Sequence, residues 1–220
     1  MISCFIYNWL FFVDPFEAKA YLLDGLSIQY VAVLSVPVAR PSLRAGIIAV
    51  LTAACIATNY LLIGVVNVKF MDLIVFAGGF TFGPLTGASI GVLTWLVYGT
   101  LNPYGFSLPI LIATSLGESL YGIVGGLLGK RSNSIMGSGF SVNIKFAIIG
   151  FLLTFAYDLM TNIVSAISIG IPLTIAMVTG IPFAIAHEVS NAAFFFLGVS
   201  PLVLAIDRLF TGSVIRDEKR

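Results

Sequence analysis

Charge is what this chain has least of. Of its 220 residues 10% are charged and 59% hydrophobic, with a mean hydropathy of +1.05, whereas soluble domains carry about 25% charged residues. So little polar surface excludes an ordinary soluble domain and leaves an integral membrane protein. There is no basic tract and no interleaving of basic with aromatic residues, which excludes a nucleic-acid surface. Cysteine is nearly missing: Cys4 and Cys55 are isolated, so neither a disulfide framework nor a metal cluster is expected. His187 is the single histidine, and neither HExxH nor GxSxG occurs. "GGLLGKR" (125–131) fails as a phosphate loop, because its outer glycines are one residue too close and Arg131 stands where Ser or Thr is required. The chain is therefore read as a non-enzyme with no cofactor and no metal. Its start lacks Lys or Arg before the first apolar residues, which argues against a cleaved signal peptide.

What the sequence does have is apolar length, enough for about six spans of roughly 20 residues. The expected order is a span from Ala45 to about Val66, a shorter run from Phe70 to Phe82, and a third span from about Leu85 to Leu101. A fourth ends near Leu128, and a fifth runs from about Lys145 to Ile169. "GPLTG" (83–87) and "NPYGFSLP" (102–109) are the turn-rich breaks, since proline fixes its own torsion and disfavours helix in the residue before it. "GIP" at 170–172 and again at 180–182 predicts a short re-entrant or surface piece, followed by a sixth helix starting near Pro182. The domain reading is an accessory, interfacial or extra helical segment over 1–43, a six-helix membrane core over 44–211, and a charged cytoplasmic tail over 212–220.

Lys and Arg orient the bundle, because cytoplasmic loops are enriched in them. With residue 44 inside, Arg40, Arg44, Lys130, Arg131, Lys145, Arg208, Arg216, Lys219 and Arg220 all fall inside; Lys69 falls outside, and Lys19 is undecided. The expected location is the cytoplasmic membrane, multi-pass, with a cytoplasmic C-terminus.

Four acids lie within these spans: Asp72, Glu118, Asp158 and Glu188. A charge in the bilayer costs at least about 2.5 kcal/mol, so such residues face a bundle interior and are usually functional. Their depths converge. Asp158 with Asn162, and His187 with Asn191, are four apart; Glu118 with Tyr121, and Trp95 with Tyr98, are three apart, so each pair shares a helix face. Together with Asp72, Glu188 and the loop residues Asn102 and Tyr104, they converge on the outward-facing side, with Glu118 and Tyr121 near the middle of the fourth span. Aromatic walls with a few placed polar groups are how small molecules are bound, and acidic groups there favour a cationic or hydroxyl-rich ligand. Blander readings stand beside this one. Asp72 can pair with Lys69 one turn earlier, Glu118 can join helices as a protonated acid, His187 can be a satisfied core residue, and Trp95, Tyr98 and Tyr104 can be interfacial anchors.

Small residues also recur. Ala45, Ala49, Ala53 and Ala57 line one side of the first span with methyl groups, a face suited to close helix approach, either within this bundle or to a separate subunit. Gly79, Gly83, Gly87 and Gly91, with the pairs Gly122 and Gly126, and Gly125 and Gly129, are read as internal packing.

The run "VNVKFMDLIVFAGGFTFGPLTGASIGVLTWLVYG", with its short second helix and "FGPLTG" turn, resembles the substrate-binding membrane subunits (S components) of energy-coupling factor (ECF) transporters. The alanine stripe resembles that family's AxxxA face toward the coupling subunit, and the likeness covers about residues 44 to 210. It implies a six-helix bundle of the S-component type that captures a vitamin or related micronutrient in a pocket near the extracellular surface. It also implies a transmembrane T component and two cytoplasmic ATPases as partners, driving release by toppling the subunit in the bilayer. Residues 1 to 10 lack the histidine that metal-importing members use, so metal uptake is set aside. Riboflavin, thiamine, biotin, folate, cobalamin and a nucleobase-like compound remain open as cargo.

Overall fold

The computed structural model describes residues 41–101, 103, 105–131 and 140–217, and their side chains up to residue 210 apart from that of Arg131. The accessory segment expected at the N-terminus lies outside this description up to residue 40, as do Asn102 and Tyr104. Among the described residues there are six helices and no strands: α1 (Pro41–Leu61), α2 (Met71–Phe82), α3 (Pro84–Leu101), α4 (Leu108–Arg131), α5 (Phe140–Ile169) and α6 (Leu173–Asp217). Five of them, all but α2, are long and apolar enough to cross a membrane. This is an all-helical, multi-pass membrane protein.

The helices alternate in direction. The Tyr60 hydroxyl near the end of α1 donates to the Leu101 carbonyl at the end of α3, 3.2 Å away, and Gly129 near the end of α4 meets Phe80 near the end of α2. One end of the bundle thus carries the connections around Lys69, Gly105 and Gly170, and the other carries the α2–α3 turn and Lys130. The turn at Gly83 has a physical cause. Its φ of 94° suits a residue without Cβ, its amide closes α2 by bonding to the Gly79 carbonyl at 2.7 Å, and Pro84 then opens α3, a position where its missing amide costs no helical bond.

The shorter run expected over 70–82 is α2, whose 12 residues make about 18 Å of helix against a hydrocarbon core of about 30 Å. It survives because it never meets lipid. Met71 to Gly79 are all buried, and α2 packs on α1, α3, α4 and α6. Short helices are tolerated at membrane depth where protein surrounds them.

A correction falls on α6. The expected re-entrant piece and fresh start at Pro182 are not found: α6 runs unbroken from Leu173 for 45 residues, with Pro182 and Pro201 inside it. The same tripeptide acts differently in its two settings. At 170–172, Gly170 adopts φ 75° and its amide bonds back to the Ala166 carbonyl at 2.9 Å, ending α5, while the Pro172 carbonyl accepts the first amides of α6. At 180–182 the glycine stays helical, so Pro182 only removes one amide that would have served the Val178 carbonyl.

The glycine spacings do pack internally. A Cβ on Gly79 would strike the Gly122 carbonyl, one on Gly122 the backbone of Gly87, one on Gly125 the Phe76 carbonyl, and one on Gly126 the backbone of Pro84. Thus α2, α3 and α4 touch backbone to backbone toward the Lys130 end. Phe76, Phe146 and Phe195 close that half, with Phe76 5.0 Å from Phe195 and 6.1 Å from Phe146 by ring centroids.

Candidate functional site

Toward the Lys69 end the same helices change character. The stripe on α6 that presents Phe195, Val199 and Val203 to the core continues at four-residue spacing as Asn191 and His187, all of them buried. On α5, Gly150 gives way to Thr154 and Asp158; on α2, Phe76 gives way to Asp72. These groups find one another. His187 Nε2 lies 2.8 Å from Asp72 Oδ2, and His187 Nδ1 lies 2.9 Å from Asp158 Oδ1. The Asn191 amide donates to Asp72 Oδ2 at 2.5 Å and to Thr154 Oγ1 at 2.8 Å. The Tyr121 hydroxyl donates to Thr154 Oγ1 at 2.8 Å, and Thr154 itself donates to the Gly150 carbonyl at 2.7 Å. From α3, Trp95 Nε1 donates to Glu118 Oε2 on α4 at 3.3 Å.

This wiring constrains charge. Both imidazole nitrogens of His187 face carboxyl oxygens, and an ionised carboxylate only accepts. The arrangement is therefore satisfied by an imidazolium between two carboxylates, which strengthens both bonds, or by a neutral ring with one protonated acid. Either way, the Asp72–His187–Asp158 bridge carries one proton more than a neutral imidazole between two carboxylates would. Asp72 does not pair with Lys69 within ion-pair distance among the described residues; the imidazole has taken that place.

Above this layer, at the Lys69 end, lies a cavity of about 270 Å³, just under the roughly 300–1,000 Å³ of typical ligand sites. Of the residues expected to bind substrate, Asp158, Asn162 and Trp95 line it. Asp72, Glu118, Tyr121, His187 and Asn191 do not line it; all are fully buried or nearly so beneath it, as members of the hydrogen-bonded layer. Tyr98 is buried behind the wall, edge-on to Trp95 at 5.6 Å and to Tyr60 at 5.3 Å. Glu188, next to His187 on α6, is half-buried and also does not line the cavity.

Several wall residues were not anticipated: Lys69, Tyr157, Asn67, Thr114, Thr161 and Phe183. Lys69 places its ammonium 5.1 Å from the Trp95 ring centre and 4.9 Å from that of Tyr157. Its signal in the sequence was its isolation, the one cation on the outer side of the charge pattern. Tyr157 and Thr161 line the cavity beside Asp158 and Asn162, so "YDLMTN" carried more of the wall than its acid and amide alone. Two buried atoms of wall residues have no hydrogen-bond partner among the described residues: Asp158 Oδ2 and the Tyr157 hydroxyl. In the layer below, the carboxyls of Glu118 and Asp72 lie against each other. No group of three or more potential metal ligands occurs among the described residues.

On the far side of α1, Ala45, Ala49, Ala53 and Ala57 are all exposed, while Ile47, Leu51, Cys55 and Asn59 form its inner face. Of the two readings of the stripe, packing against the described helices is thereby removed.

Fold and site together define a multi-pass membrane protein with a polar chamber at one end of its bundle. Comparison with protein-family models, with curated proteins and with solved structures finds no match.

Proposed function

We propose that this chain is the substrate-binding subunit of an ECF-type importer, holding a vitamin-like micronutrient in the cavity at the Lys69 end. The observation that carries this reading is the cavity itself, walled by Asp158, Asn162, Trp95 and Lys69 over a half of the bundle sealed by glycine contacts. A capture subunit needs a chamber at one end and a tight seal at the other; a pore would need neither. The Lys and Arg bias supports a chamber on the outer face of the cytoplasmic membrane and a C-terminus in the cytoplasm. The exposed alanines of α1 are the face for the transmembrane T component, and two cytoplasmic ATPases supply the energy that this chain has no motif to harvest.

The test is reconstitution. In proteoliposomes the subunit alone should bind solute without accumulating it, and sustained uptake should require ATP and the co-purified T component and ATPases. Asp158→Ala and Asn162→Ala should weaken binding at least about tenfold, about 1.4 kcal/mol, in protein that remains folded. Ala49→Leu should abolish uptake while leaving the free energies of binding and unfolding within about 0.5 kcal/mol of the parent, as surface changes usually do. Uptake that survives Ala49→Leu would remove α1 from the interface.

A second reading is favoured by one observation, the hydrogen-bonded bridge of Asp72, His187 and Asp158 directly beneath the cavity. It makes the chain a stand-alone proton-coupled carrier using Asp158, Glu118 and His187. That version moves solute in proteoliposomes down an imposed proton gradient with no partner present.

A further inference from the structure

We infer that the polar layer is a proton-held latch on the cavity: Trp95 and Asp158, two of its wall residues, are the ends of one chain of contacts that closes only while two shared protons are present. This rests on the reading of the cavity as the binding site and adds its regulation. The chain runs Trp95, Glu118, Asp72, His187, Asp158, and so crosses α3, α4, α2, α6 and α5 in turn. Trp95 Nε1 donates to Glu118 Oε2 at 3.3 Å, and an indole only donates. The Glu118 and Asp72 carboxyls lie against each other, and Glu118 Oε1 and Asp72 Oδ1 make no bond outside that pair among the described residues. Asp72 Oδ2 meets His187 Nε2 at 2.8 Å, and His187 Nδ1 meets Asp158 Oδ1 at 2.9 Å. Both ends of the chain line the cavity, while its three middle members are at most 1% exposed.

Two contacts in this chain need a proton. Carboxylates in contact repel, so Glu118 and Asp72 hold together by sharing one. His187 between two carboxyls needs the second, as an imidazolium or as a neutral ring beside a protonated acid. Loss of either proton leaves like charges, or a ring lone pair and a carboxylate, facing each other in a buried layer where water screens them little. A proton gained acts differently. It can settle on Asp158 Oδ2, which has no partner among the described residues, and it breaks no bond of the chain. The latch therefore opens as pH rises and stays closed as pH falls. Opening frees Trp95 from α4 and Asp158 from α6, so the cavity wall loosens at both places. The other titratable groups packed against the chain are Cys55 on α1, Tyr98 on α3, Tyr121 on α4, Tyr157 on α5 and Glu188 on α6. Lys69 stands over Trp95 and Tyr157 and is not within ion-pair distance of these acids among the described residues, so it replaces neither proton.

The experiment uses the full chain in detergent with Trp9→Phe, so that Trp95, the other of its two tryptophans, fluoresces alone. Acrylamide, a neutral quencher, measures access to Trp95 from about pH 5 to about 9.5, a range that runs from above the ordinary carboxyl values to just below that of phenols. Quenching should stay low on the acid side and rise toward alkaline pH. The open population should grow up to about a hundredfold per pH unit where two protons leave and about tenfold where one does. In Glu118→Gln and Asp158→Asn each amide makes by itself the bond that a shared proton makes: the glutamine donates to Asp72 while accepting from Trp95, and the asparagine donates to a neutral His187 ring. Each single variant should show the one-proton steepness, and the double variant should stay closed across the range. A flat profile in the parent overturns the inference, as does a double variant that is quenched at every pH. A transition that survives in the double variant belongs to the tyrosines, Cys55 or Glu188 and overturns it too. A second measurement leaves the layer unmutated. His187 is the single histidine, so its 15N resonances report the bridge directly; they should shift in step with the quenching, and resonances that stay fixed through it remove the latch. None of these readouts involves cargo or partners. ATP-dependent uptake with a flat quenching profile would keep the importer reading and remove the latch, and a steep profile without such uptake would do the reverse.

Discussion

The two ends of this bundle solve the same packing problem in opposite ways. Toward Lys130, helices α2, α3 and α4 meet through Gly79, Gly87, Gly122, Gly125 and Gly126, close enough that a single added Cβ would strike backbone. Toward Lys69, the same helices and α5 and α6 are joined by Asp72, Asp158, His187, Asn191, Tyr121 and Trp95. Lipid supplies no hydrophobic drive between helices, so close van der Waals contact and interhelical hydrogen bonds are the two available adhesives. Glycine contact excludes space and gives a seal. Side-chain bonding holds helices apart and leaves room, and the cavity is found only where that second method is used. The change of method, more than any one residue, locates the site.

The sharpest way to break the polar end is His187→Leu. It strands the Asp72 and Asp158 carboxylates, and removing one partner of a buried ionic group costs about 3–5 kcal/mol. Thermal unfolding in detergent should show that loss. Adding Asp72→Asn and Asp158→Asn should recover a good part of it, because the uncompensated charges are then gone. If His187→Leu melts like the parent, the imidazole is not holding the layer together. At the opposite end the corresponding change is Gly122→Ala, whose methyl meets the backbone of Gly87 and Ala88. Overpacking of this kind costs about 1–3 kcal/mol, measurable as a lower melting temperature, while ligand affinity in the surviving folded fraction should hold.

Much of this was legible in the chain, unevenly. The glycine spacings announced close contacts because a glycine's partner is backbone, which every helix offers. The polar residues announced a layer because acids are too costly to face lipid, and Asp158 with Asn162 gave one wall of the cavity directly. Which acid met which partner was not legible: Asp72 pairs with His187, 115 positions away, and not with Lys69 three positions away, since pairing depends on how α2 and α6 face each other. Nor could "GIP" be read alone. Gly170 ends a helix and Gly180 does not, because at 180 the helix packs against the Asn162 side chain on α5, where even a Cβ on the glycine would crowd it. Lys69 was read as a partner for Asp72 and not as part of a wall for a related reason, that only the fold brings it over Trp95 and Tyr157.

The finest test falls on the boundary between the two methods, at Thr154. Its hydroxyl accepts from Tyr121 and Asn191 in the polar layer and donates to the carbonyl of Gly150, whose own α-carbon abuts Phe195 in the apolar half. Thr154→Val keeps the shape and removes the oxygen, leaving the Tyr121 hydroxyl and one Asn191 N–H without that acceptor. Interhelical hydrogen bonds in membrane proteins average about 0.6 kcal/mol and reach about 1.7, so the expected loss is about 1 kcal/mol, far below that of His187→Leu. Ligand affinity should fall by less than about threefold, since Thr154 lies below the cavity and not in its wall. A loss as large as that of His187→Leu would mean that the layer is one cooperative network whose bonds cannot be separated, and that Thr154 anchors the Asp72–His187–Asp158 bridge through Asn191.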